Sequence, residues 1–137
     1  MNAFRAVGAC AMGLAVAAGV LAASPAHAAA AQYNYACGPG YRVVDHVDVG
    51  GSGTAFLTYN SFTGYNCAVT VRAIPGEAVE MVIGLKRTPD DPRKAVHDSG
   101  HFTTFAGPVH VYGAGSCVDW FGYIDGDNGH KNDAGCD

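Results

Sequence analysis

With 137 residues, 49% of them hydrophobic and 15% charged, the chain has the size of one domain with a modest core. Its formal net charge is −4, and no cationic cluster exceeds Lys86-Arg87 or Arg93-Lys94. Nucleic acid is therefore not an expected partner, because phosphate binding is driven by counterion release onto a basic face.

The chain opens on one cation, Arg5, followed by residues 6–23, which carry no charge and consist almost entirely of Ala, Val, Leu and Gly. The stretch runs into Ser24-Pro25-Ala26-His27-Ala28, where the small residues 26 and 28 fit the A-x-A site of a secretory signal peptidase. Residues 1–28 are expected to be a cleaved signal peptide, leaving residues 29–137 as a secreted, extracellular domain. A retained anchor would need roughly 20 continuous apolar residues, and Pro25 with the small-residue tail argues against one, so no membrane span is expected in the mature protein. Val7-Gly8-Ala9-Cys10 superficially resembles a lipid-attachment site, but the apolar stretch follows this cysteine instead of preceding it.

Beyond the leader, short apolar or alternating runs are separated by Gly, Pro, Asn and Asp about every ten residues, the spacing of a sandwich or barrel. Residues 41–49 place Tyr41, Val43, Val47 and Val49 on one face, interrupted by Asp45. Gly50-Gly51-Ser52-Gly53 then breaks the chain. Residues 54–59 and 66–74, joined by Asn60-Ser61-Phe62-Thr63-Gly64-Tyr65, form the clearest hairpin, with Cys67, Val69, Val71 and Ala73 on one side. Residues 77–87 fit both a helical stripe and strand alternation; strand is preferred, because Gly84 would cost a helix about 1 kcal/mol relative to Ala. Residues 88–94 form a charged, proline-bounded turn expected to protrude. Runs at 95–99, 101–106, 108–112 and 117–124 follow, with a turn expected at Gly100. Residues 125–137, polar and glycine-rich, are expected to depend on Cys136 to be held down. The fold expected is all-β: a small disulfide-stabilised antiparallel sandwich or barrel of about 7–8 short strands, in one domain.

Without the leader the chain keeps Cys37, Cys67, Cys117 and Cys136. An even count in a short exported chain reads as a disulfide framework. Zinc is the weaker reading, since zinc ligands usually come in close C-x-x-C pairs and these gaps are 30, 50 and 19 positions. Four cysteines permit three connectivities; Cys37 with Cys67 and Cys117 with Cys136 is preferred, the second closing a loop worth roughly 3 kcal/mol.

Cys37-Gly38-Pro39-Gly40-Tyr41, Leu57-Thr58-Tyr59-Asn60 and Gly64-Tyr65-Asn66-Cys67-Ala68-Val69-Thr70-Val71 resemble the spore-associated protein A family of filamentous spore-forming bacteria. Asp98-Ser99-Gly100, Phe105-Ala106-Gly107-Pro108-Val109, Cys117-Val118-Asp119-Trp120 and Gly135-Cys136 agree with it. The resemblance runs over residues 37–136 and keeps the four cysteines in order. It implies a small exported protein of the spore or cell surface, structural or interacting, with no established enzymatic activity, no cofactor and no catalytic residues. The charge in residues 88–94 and the several histidines depart from the family pattern.

Other constellations compete with this reading. His97-Asp98-Ser99-Gly100-His101 holds a nucleophile, a base and a carboxylate, but a triad joins groups near in space and usually far apart in sequence, and on a strand residues 97 and 99 face away from 98. No G-x-S-x-G elbow is present. His97, His101 and His110 are weak metal candidates. Asp125-Gly126-Asp127-Asn128-Gly129 resembles the start of a calcium loop whose later ligands are missing, so no metal is assigned and a solvated turn is preferred. Strand parity puts Trp120 with Val118, Gly122 and Ile124 on the core face. Phe62 and Tyr65 at the hairpin tip, with Tyr59 beside them, are the candidate contact surface for the spore or cell wall, glycan included. A carbohydrate-binding module is the main alternative, and it would require these aromatics to be exposed and coplanar. A protease inhibitor working through residues 88–94, or a hydrolase gathering His97, His110 and a carboxylate, is the lesser one.

Overall fold

A computed structural model describes Gly13, residues 15–20 and residues 30–136. The leader reading lies, apart from Gly13 and residues 15–20, outside the described residues; those few are in no regular element.

The alternating runs form eight strands: β1 Arg42–Val49, β2 Gly53–Asn60, β3 Tyr65–Arg72, β4 Val79–Arg87, β5 Val96–Phe102, β6 Phe105–Tyr112, β7 Val118–Ile124 and β8 Asp127–Ala134. They make two four-stranded antiparallel sheets, ordered β1-β2-β3-β6 and β5-β4-β7-β8. Among the described residues the architecture is a sandwich with no closed barrel. At one side the chain steps from β5 to β6, and hence between sheets, through Thr103 and Thr104 alone. At the other, β1 and β8 are clasped by the Lys131–Asp45 ion pair, N to O 2.5 Å.

Period-two alternation buries Leu57 and Ala68 from one sheet against Met81, Ile83, Leu85 and Trp120 from the other. Full burial of each large apolar side chain contributes about 1.5–3 kcal/mol. Residues 79–87 are a strand as expected, and Trp120 is core, 2% exposed. A second cluster lies on the outside of the first sheet, where Cys37, Tyr33 and Tyr41 cover Phe56, Cys67 and Val69. The disulfides join Cys37 to Cys67 and Cys117 to Cys136, with Cα separations of 6.0 and 4.1 Å. The first rivets the N-terminal segment onto β3; the second ties the start of β7 to the chain just beyond β8.

Three expectations are corrected. Tyr41, Val43, Val47 and Val49 do not share a face: the register shifts between Val43 and Asp45. The extra residue of this bulge reverses the alternation, so that Val47 and Val49 pack inward, Tyr41 joins the outer cluster, and Val43 and Val44 are exposed. Gly100 is no turn, because β5 runs through it and the corner falls at Thr103 and Thr104. Residues 125–137 are no loose tail. Asp125 and Gly126, with φ of 43° and 99°, form the two-residue turn of a hairpin between β7 and β8. Positive φ at both turn positions is what an Asp-Gly pair supplies most cheaply.

Candidate functional site

The hairpin joining β2 to β3 is shaped by Asn60, whose Oδ1 accepts the backbone N–H of Phe62 at 3.0 Å and of Thr63 at 3.3 Å. This cap lifts Phe62 to the tip, where it is 95% exposed. Tyr65 pairs with Tyr112 of β6, and their rings meet edge to face at 5.6 Å and 72°. Both are exposed, as Phe62 is, so one end of the first sheet carries an aromatic patch. Tyr59 does not belong to it. It pairs with Asn66, one step out of phase with the Asn60–Tyr65 pair, and so points to the opposite side of the sheet. Tyr112 takes its place, a contact visible only once β6 is known to lie beside β3. Because Tyr65 and Tyr112 are close to perpendicular, they do not form the flat platform a stacked sugar requires.

The histidines are distributed, not gathered. His97 lies on the outer side of β5, whereas His110, paired with Cys67 and edge-on to Tyr41 at 5.6 Å, lies on the outside of the other sheet. Asp98 faces neither: its Oδ2 accepts the Gly107 N–H at 2.7 Å. Among the described residues no three His, Cys, Asp or Glu side chains converge as a metal site would require. Asp127 accepts a hydrogen bond from the Ser52 hydroxyl at 2.5 Å, and Asp125 is a turn residue.

Residues 88–94 are held from below. Lys86 Nζ donates to the carbonyls of Arg87, Thr88 and Asp90 at 3.1, 2.9 and 3.2 Å and pairs with Asp119 at 3.1 Å. Burial raises the Asp119 pKa, but hydrogen bonds from Thr88 Oγ1, the Asp133 N–H and Lys86 outweigh it and hold the carboxyl below its ordinary value. The turn continues into a 3-10 segment, Pro92–Lys94, capped by Asp91. It is anchored, and Pro92–Lys94 are helical where a strand-like inhibitory loop would be extended.

A feature the sequence did not disclose lies on the outer face of the second sheet. There Phe121, Lys86, His97, Asn128, His130 and Asn132 line a groove of about 520 Å³. These residues come from four strands, and their common face follows from register and not from sequence proximity.

Comparison with known proteins decides the family. Spore-associated protein A of Streptomyces coelicolor is 43% identical over 115 residues, covering 80% of this chain and 73% of the relative. The chain belongs to the spore-associated protein A family. No family model matches the chain, and no solved structure matches it significantly.

Proposed function

We propose that this protein is exported and associates with the spore or cell surface as a structural or interaction protein, acting by binding and not by catalysis. The observation that carries the reading is the 43% identity to a protein named for its association with spores. Two disulfides support export, since such bonds persist in oxidising compartments. The separation of His97, Asp98 and His110 onto different faces supports a role without acid–base chemistry at that cluster. Pairing of Lys86, Arg87, Arg93 and Lys131 with carboxylates supports a partner other than nucleic acid. No helix among the described residues is long and apolar enough to cross a membrane.

The contact surface in this reading is the end of the first sheet bearing Phe62, Tyr65 and Tyr112. Exposed aromatics supply large apolar area at small entropic cost. The test is a pull-down of the disulfide-bonded protein on washed spores and on purified cell wall, alongside a Phe62→Ala/Tyr112→Ala variant. Saturable retention that the variant loses is expected. Failure of both spores and wall to deplete the wild-type protein from solution overturns the reading.

A further inference from the structure

The groove on the outer face of the second sheet lies on the other sheet from the aromatic hairpin end and is built differently. One row runs straight across the four strands: His97 opposite Gly84, Gly84 opposite Phe121, Phe121 opposite His130. At a strand spacing of about 4.8 Å the row spans roughly 14 Å. Its centre is apolar. The Phe121 ring covers Gly84, where a Cβ would collide with three adjacent ring carbons, so the ring lies against the strand while the residue remains partly exposed to the groove. His97, Asn128, His130 and Asn132 surround it as exposed side chains, and none of the four is hydrogen-bonded to another side chain among the described residues. The only carboxylate in the lining, Asp119, is neutralised by Lys86 at 3.1 Å.

A half-exposed aromatic ring ringed by unspent amides and imidazoles, with no uncompensated charge, is matched by a ligand having an apolar C–H face and a periphery of hydroxyls. We propose that this groove binds a short segment of polysaccharide, with one sugar ring over Phe121 and its hydroxyls bonded by Asn128, Asn132, His97 and His130. An alkyl chain over Phe121 would leave the exposed Asn128, His130 and Asn132 side chains unpartnered, and the lining lacks the free cations a nucleic-acid backbone demands. A peptide adding as a strand would bond to a free sheet edge, whereas the groove lies across the outer face of the sheet and spans all four of its strands. This inference is separate from the surface reading, which rests on the other sheet.

The probes are the neutral oligosaccharides chitotetraose, cellotetraose and maltotetraose, titrated into the full chain, isotopically labelled and disulfide-bonded from an exporting host, with amide shifts followed by NMR. Saturable shifts centred on residues 97, 121 and 128–132 are expected with one of these, and the affinity is expected to fall at least tenfold in Phe121→Ala and in Asn128→Ala/Asn132→Ala. The asparagine pair is exposed, so its loss of binding cannot be assigned to unfolding. Silence with all three sugars, shifts mapping elsewhere, or unchanged affinity in the asparagine pair overturns the site. Spore retention with a silent groove would leave the surface reading standing and remove this one; a sugar-binding groove without spore retention would do the reverse.

Discussion

Gly84 lies directly beneath the ring of Phe121, its cross-strand partner, in space that no other residue type leaves free. A methyl group at position 84 must push the ring off the strand. Because the ring is partly exposed and can swing, Gly84→Ala is expected to cost only about 1 kcal/mol, the low end of the overpacking range. It should also abolish the ring-current shift on His97, whose ring lies 5.8 Å away. Chemical denaturation and imidazole proton shifts read the two effects separately.

The two disulfides close loops of 30 and 19 positions. On the chain-entropy model each contributes about 3–4 kcal/mol, so the Cys37→Ala/Cys67→Ala and Cys117→Ala/Cys136→Ala variants should lose comparable stability in guanidinium unfolding. Their local consequences differ. Only loss of the first frees the segment carrying Tyr33 and Ala36 from Phe56 and Val69, and limited proteolysis should then cut within residues 31–40 while the sheets remain intact.

Thr54 is 2% exposed and its Oγ1 is buried without a hydrogen-bond partner. Replacing the hydroxyl by a methyl group removes an unsatisfied polar atom at nearly constant volume. Thr54→Val is expected to raise stability by about 1 kcal/mol, measurable as a higher denaturation midpoint at unchanged slope.

Asp119, with a carboxyl pKa held below its ordinary 3.8, stabilises the folded state above that pH, and the contribution disappears as pH falls through the lower folded value. Acid titration of stability should therefore steepen below about pH 4. Asp119→Asn should flatten that limb and lower stability at neutral pH, because Lys86 loses its counter-charge and Thr88 a strong acceptor. A variant with an unchanged acid limb would show that the carboxyl titrates alike in both states.

Much of the fold was legible along the chain. Alternation in residues 66–74 and 77–87 marks strands because a sheet with one buried face enforces period two. The preferred cysteine pairing matches the two disulfides, and Trp120 is core, as its parity with Val118 and Ile124 requires. β8 was missed because, of its eight residues, only Gly129 and Ala134 are buried: an edge strand with one solvated face shows little apolar alternation. Asp125-Gly126 marks a turn, as the sequence reading prefers, and an Asp-Gly pair is also a hairpin signal, but the polar residues that follow hide the second strand. The misplaced turn at Gly100 has a related cause, since a glycine inside an exposed edge strand looks like punctuation.

The contact surfaces divide along the same line. By itself the sequence determined that the protein is all-β, that its cysteines form a disulfide framework and that Phe62 and Tyr65 sit at a hairpin tip, because these depend on local periodicity, parity and turn chemistry. Only the tertiary structure decided that Tyr112 and not Tyr59 completes that patch, and that His97, Gly84, Phe121 and His130 form a single row. Strand order and register are set by packing between segments tens of residues apart, and a one-residue bulge suffices to move a side chain to the opposite face.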